Sequence, residues 1–282
     1  MDSADTVALT QKDDSNVEGG VVVGVDGTAT ALRAVAWAAA EARSRGVALR
    51  IVHAAPYAVD PAGRARAGAV LARARGLVQQ GDADLDVSTD LLDTPPADAL
   101  ISAGDDAGLL VLGMIGDRLG EIVLGSITAG VAGEARCPVA VVRGSRHTPG
   151  PARVTVLGIA GADELDSSSG PAGVAFADAQ RHGTRLRVVH AAHRAHPDTE
   201  QALRDALARW SGRFPSVPVD LVEAHDRPAD ALLHASGSAR VVVVGSHGRG
   251  AAARAVLGST SREVMRSAHC PVIVVPHSGG NP

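Results

Sequence analysis

Four short apolar stretches occur twice along the chain, in the same order. VVVGVDG (21–27) returns as VTVLGIAG (154–161), and LRIVHAA (49–55) as LRVVHAA (186–192). AGLLVLG (107–113) returns as ARVVVVG (239–245), and ARCPVAVV (135–142) as AHCPVIVV (268–275). The offsets stay between 132 and 137 residues. A repeat of that period makes each copy an ordinary domain of ~130 residues. The expected division is a disordered leader (1–19), a first domain (20–143), a linker (144–152), a second domain (153–276) and a tail (277–282). The linker lies in RGSRHTPGPA (143–152), which is rich in Gly, Pro and Ser.

Within each copy, Val/Ile/Leu runs alternate with segments of helical period. The runs are nearly continuous, as in VVVV at 241–244, and strands covered on both faces read that way. The first copy predicts strands near 20–25, 48–54, 85–91, 108–113 and 138–143, with helices near 30–45, 63–80, 95–104 and 126–135. The first helix is expected to bury Leu32, Val35, Ala36 and Ala39. Strand–helix alternation implies an α/β fold, with a parallel sheet, right-handed crossovers and helices on both faces. Such sheets bind ligands beyond the carboxyl ends of their strands. The last strands, 139–143 and 272–276, are apolar and would leave an open edge. They are expected to pack against each other across a pseudo-twofold axis.

Composition removes several functions. A net charge of -4 gives no basic footprint for nucleic acid, and 2% aromatic residues leave few stacking platforms. No apolar run has membrane-spanning length. The polar start MDSADTVALTQKDDSNVEGG lacks a signal-peptide core, so a cytoplasmic location is expected. Lys12, in the leader, is the only lysine. The folded part therefore has no P-loop, Schiff-base or kinase-type lysine. Cys137 and Cys270 each precede Pro and a valine-rich run, which suggests small buried thiols rather than a disulfide or a nucleophile.

GSHGRGAAARAVLGSTS (245–261) follows the run at 241–244 and leads into the helical pattern TSREVMRSA. Gly258-Ser259 thus sits at a helix N-terminus, where free N–H groups and the positive dipole end favour an anion. Gly245 and Gly248 remove Cβ atoms from the path of a ligand. The pattern is G-x2-G-x9-G-S, neither a Walker A loop nor G-x-G-x-x-G. Turns and a helix cap alone would also use these glycines.

With VVVGVDG, the paired VHA strand ends, VVGSHGRG…LGSTS and the final CPVIVV, the chain resembles a tandem universal stress protein over all but its termini. The resemblance implies an adenine-nucleotide alpha-hydrolase-like fold: two tandem five-stranded parallel sheets, order 3-2-1-4-5, pairing through their last strands. It makes G-x2-G-x9-G-(S/T) an ATP-binding motif. Carried over, the second copy keeps Gly245, His247, Gly248, Gly258 and Ser259, with Thr260 and Ser261 opening the helix and Ala191 at the adenine-reading position. Its first strand ends in Ala160 where the family has a carboxylate, and Asp163 lies nearby in a longer loop. The first copy has Asp26, Ala54, Gly113, Gly116, Gly125 and Ser126, with Ile127 and Thr128 opening the helix. Only eight residues separate Gly116 from Gly125, against nine between Gly248 and Gly258. Ile115 replaces the histidine, and Asp117 and Glu121 fall where phosphates would lie.

His190, His193 and His196 form H-x2-H-x2-H, but Pro197 argues for a loop and His190 matches His53 of the repeat framework. Solvated loop histidines are the expectation there, and no metal site. The arginine-rich stretch RARAGAVLARARG (64–76) reads as a solvated face or a patch for a partner. Trp37 and Trp210 read as packing residues. The expected function is a stress-response regulator that binds ATP or another adenine nucleotide, with or without Mg²⁺, and does not turn it over. No catalytic residue is expected. The resemblance further implies a homodimer; a protein partner is left unidentified. Two alternatives stand beside this: a degenerate pairing module with no nucleotide, and a slow Mg²⁺-dependent ATP hydrolase using Asp26.

Overall fold

A computed structural model describes residues 19–114, 125–143, 154–191, 197–246 and 257–276. The first copy contains β1 (Val21–Gly24), α1 (Ala29–Arg45), β2 (Leu49–Ala54), α2 (Pro61–Gly81), β3 (Val87–Leu92), α3 (Pro96–Gly104), β4 (Leu109–Met114), α4 (Ser126–Glu134) and β5 (Val139–Arg143). The second contains β6 (Val154–Ile159), a 3-10 turn (Ala162–Leu165), α5 (Pro171–His182), β7 (Arg185–Ala191), α6 (Pro197–Arg213), β8 (Val219–Ala224), α7 (Pro228–Ser236), β9 (Val241–Gly245), α8 (Ser259–Ser267) and β10 (Val272–Val275).

Neighbouring strands are parallel within each copy, in the orders β3-β2-β1-β4-β5 and β8-β7-β6-β9-β10. The two half-sheets are not separate. β5 and β10 pair antiparallel, which makes one ten-stranded sheet. Ala140 lies opposite Ile273, its own counterpart in the repeat, so a pseudo-twofold axis passes through that pair. The expected edge pairing is therefore observed.

Continuous apolar runs arise because each strand is covered on both sides. Val21 and Val23 point into one core with α1, α2, α5 and α6, whereas Val22 points into the other with α3, α4, α7 and α8. Both cores run across the β5–β10 junction.

Local signals set the helix ends. The Thr28 hydroxyl caps α1 by accepting from Ala31 N–H at 3.2 Å. Gly46 ends α1 at φ 67°, and Gly183 ends α5 at φ 60°, where a side chain would be strained. The buried stripe of α1 is Ala31, Ala34, Val35, Ala38, Ala39 and Ala42, while Ala36 is exposed and Leu32 half-buried. Val35 and Ala39 thus lie on the buried face as expected, and Ala36 does not. Alanine lets the helix approach the sheet closely, and Gly113 of β4 receives it: a Cβ there would lie 3.0 Å from the Thr30 carbonyl oxygen.

Trp210 is buried, stacks 5.0 Å from Phe176 and donates its indole N–H to the Leu165 carbonyl at 2.6 Å. This ties the longer loop of the second copy to α6. Trp37 packs half-buried against the same core.

Cys137 and Cys270 are free and buried at the starts of the last strands. Burial pushes the Cys137 thiol up to about 11 and the Cys270 thiol up to about 12. A thiol reagent at pH 8 should therefore leave both unmodified in the native chain and label both in denaturant. Rapid native labelling would contradict the packing described.

Candidate functional site

Because β5 and β10 run antiparallel, the carboxyl ends of the two half-sheets lie at opposite ends of the ten-stranded sheet. The two sets of candidate residues consequently form two separate edges that do not meet.

At the edge of the second copy, Gly245 closes β9 and pairs with Val275. Ser246 N–H donates to the Val275 carbonyl, and Gly258 N–H donates to the Ser246 carbonyl, each at 2.8 Å. The Ser261 hydroxyl, buried, donates to the Gly245 carbonyl at 2.6 Å. These bonds clamp the start of α8 to the end of β9. Gly258 is the N-cap, and the first intrahelical bond runs from Arg262 N–H to its carbonyl. The amides of Ser259, Thr260 and Ser261 thus have no acceptor within the helix. Ser259 is exposed and Thr260 half-buried, so their hydroxyls border those amides. His247 and Gly248 lie outside the described residues.

Ala191 ends β7 opposite Ala224. His190 before it is buried, and its Nδ1 has no hydrogen-bond partner among the described residues. Its counterpart His53 is also buried, but there Nδ1 meets the Val25 carbonyl at 2.7 Å. His193 and His196 fall outside the described residues. Asp163 sits in the 3-10 turn, where its carbonyl accepts from Asp166 N–H.

At the edge of the first copy, Ala54 ends β2 and Asp26 follows β1. One carboxylate oxygen of Asp26 accepts from Thr28 N–H at 2.9 Å and from the Thr28 hydroxyl at 2.7 Å. Asp26 therefore props the residue that caps α1. Asp26→Ala should cost about 1 kcal/mol through that cap, or a melting shift of about 2 °C. Thermal unfolding checks it; a shift beyond ~8 °C would mean that Asp26 holds far more than the cap.

Gly125 is the N-cap of α4, and a Cβ there would meet nothing within 4 Å among the described residues. Ser126 is exposed, Thr128 is buried, and Ile127 is exposed at 42%. An apolar branched side chain thus stands where the second copy has Thr260. At Gly113, carried over from the resemblance, the first turn of α1 packs where a Cβ would lie. Gly116 lies outside the described residues.

A charged cluster that the sequence reading missed lies on the α1/α5 side of the axis. Arg240 Nη2 donates to Glu41 Oε1 at 2.8 Å and also to Asp178, whose other oxygen accepts from Thr155 Oγ1 at 2.8 Å. Arg45 lies 3.4 Å from Glu41. His182 Nε2 lies 3.3 Å from Glu41 and 3.8 Å from Asp178. Burial alone would raise the Glu41 pKa, but His182, Arg240 and Arg45 overcome it and hold that carboxyl at about 2. Glu41, Asp178 and His182 are ligand types within metal-binding reach, but the guanidinium of Arg240 already occupies the cationic role.

This is an α/β architecture with a helix N-terminus at the end of a parallel strand in each half. The chain belongs to the universal stress protein family, whose model matches residues 20–143 and 192–276. The match to the second copy begins after β7, beyond the segment that holds Ala160 and the longer loop. A universal stress protein of Mycobacterium tuberculosis is 34% identical over 293 residues, covering 92% of this chain and 97% of its own. The structure of a universal stress protein from Archaeoglobus fulgidus superposes with a TM-score of 0.74 at 18% identity, covering 92% of this chain and 98% of that one. A shorter universal stress protein, solved in complex with cAMP, is 32% identical over 45% of this chain and 98% of its own, with a TM-score of 0.38.

Proposed function

We propose that the chain is a regulatory protein that binds an adenine nucleotide at the edge of its second copy and does not turn it over. One observation carries this reading. The start of α8 is clamped to β9 by the Gly258–Ser246 and Ser261–Gly245 bonds, which leaves the amides of Ser259, Thr260 and Ser261 without helical acceptors at the ligand-binding end of the sheet. Such a group of donors suits the phosphates of ATP. Gly245, His247, Gly248, Gly258, Ser259 and Thr260 would surround the phosphates and ribose, with the backbone at Ala191 against the base. Ser261 would contribute its amide, since its hydroxyl proton is committed to Gly245.

The first copy is the weaker site. Its loop is one residue shorter, Asp117 and Glu121 oppose phosphate, and Ile127 adds no donor at the helix mouth. Two features of the same inventory favour binding without turnover. Ala160 offers no carboxylate at the second edge, and one oxygen of Asp26 at the first is engaged by Thr28. Mg²⁺, if carried, would ride on the phosphates. A cytoplasmic role in the stress response, whole-chain dimerisation and an as yet unidentified protein partner belong to the same proposal.

Mass spectrometry of the nucleotide released from the purified full chain tests it. An adenine nucleotide at up to one per chain is expected, with hydrolysis no faster than the spontaneous rate. A guanine or pyrimidine nucleotide, or no binding of ATP, ADP or AMP at millimolar concentration, would overturn it.

A further inference from the structure

The β5–β10 junction is isologous in its backbone. Ala140 faces its own counterpart Ile273, and Val141 and Val139 face Val272 and Val274. Backbone geometry alone would let β5 pair equally well with a second β5. The side chains are not symmetric. Glu41 and Asp178 occupy equivalent positions, each five residues before the glycine that ends its helix, and both are almost fully buried. The position of Arg240 in the second copy is Gly108 in the first. One guanidinium therefore serves a carboxylate from each half, reaching Glu41 across the junction at 2.8 Å.

We propose that the sheet edge of the first copy is a selective interaction surface. It accepts a homologous edge that carries arginine at the position of Arg240 and rejects a second copy of itself. Pairing two first copies would bring two Glu41 carboxylates together with glycine where each arginine is needed. Arg45, at 3.4 Å on the same helix, would remain as the positive partner on each side. A buried carboxylate that loses its charged hydrogen bond is expensive. The axis itself works in the same direction: fully buried Ala140 against Ile273 combines small with large, and two alanines would leave a void. The second copy thus closes the edge of the first within one chain, and like-with-like pairing across chains is disfavoured.

Single-cysteine chains test this without interference from the tether. In the full chain with Cys137 and Cys270 replaced by alanine, one form carries Ala140→Cys and another Ile273→Cys. Opposed residues of an antiparallel ladder are ~4.5–5.5 Å apart at Cα, within disulfide reach. With cysteine at both axis positions, packing at the axis is the same in every pairing. The two forms are mixed, unfolded, refolded at high concentration in a glutathione buffer, and mapped by peptide mass. Linkage of 140 to 273 should exceed 140 to 140 by roughly tenfold or more, since one charged hydrogen bond is worth at least that factor. Glu41→Gln added to the Ala140→Cys form should raise the 140–140 linkage several-fold. A statistical share of 140–140 linkage with Glu41 in place, or a share that Glu41→Gln leaves unchanged, would overturn the proposal.

Discussion

Gly258→Asp will abolish most nucleotide binding while leaving the chain at least as stable. The two effects have opposite signs and a common cause. Gly258 caps α8 with φ -59° and ψ 152°, a conformation open to any L residue. Aspartate is a favourable N-cap whose carboxylate accepts from the second or third amide of the helix. Those are the amides of Thr260 and Ser261, which the proposed phosphate site uses. The substitution gives the helix an internal acceptor, worth a few tenths of a kcal/mol over glycine. It also removes donors from the ligand and places a negative charge beside it. Losing one charge-assisted hydrogen bond costs about 1.5–3 kcal/mol, and repulsion adds to that, so the affinity for ATP should fall ~100-fold or more. Titration calorimetry with a parallel melting curve reads both. Unchanged binding would place the phosphates elsewhere, and weaker binding accompanied by a large drop in stability would mean that the loop had simply collapsed.

Arg240→Met will produce the largest loss of stability. The variant keeps much of the volume but leaves Glu41 and Asp178 buried side by side. Breaking a buried ion pair by removing one partner costs about 3–5 kcal/mol, which lowers the melting temperature by roughly 10 °C. The pH dependence should separate the variant from the parent. In the native chain Glu41 is held at about 2, below its ordinary 4.5. Its contribution is thus complete above pH 4.5 and is lost as the pH falls towards 2. The shift corresponds to roughly 3 kcal/mol. Without Arg240, one of the groups that offset burial is gone, and the carboxyl titrates higher than in the parent. Acidification then relieves the variant while it weakens the parent. Denaturant unfolding should show a gap of about 3 kcal/mol or more at pH 7 that narrows by about 2 kcal/mol near pH 3. A gap independent of pH would show that Arg240 acts by packing and not by charge.

The order of the strands was legible because each is buried on both faces and reads as an unbroken apolar run, and the repeat supplied a second reading of each. The pairing of the last strands followed from their apolar edges. What the sequence reading lost was geometry at close quarters. The glycine at the end of β4 matches Gly245 in the repeat, and only the approach of Thr30 and Ala31 shows that α1 packs against Gly113. Ala36 was placed in the core because a period of 3.6 fits several adjacent stripes when most of a helix is alanine. The Glu41–Asp178–Arg240 cluster joins residues up to 199 positions apart. Its trace was nonetheless visible, since EARSRG and DAQRHG align a carboxylate in both copies. At the candidate site, the G-S pair before a helix marked the start of α8, but nothing in the letters separated Ser261, which ties the helix to Gly245, from Ser259, which is exposed.

Calorimetric titration of ATP into the full chain, alongside Gly258→Asp and Gly125→Asp, decides which copy binds. Gly125 is the matching cap of the first copy, and a Cβ there meets none of the described residues within 4 Å, so both substitutions place the same charge at equivalent helix starts. The predicted result is one site per chain, lost in Gly258→Asp and retained in Gly125→Asp. Two equal sites, or a site lost only in Gly125→Asp, would contradict it.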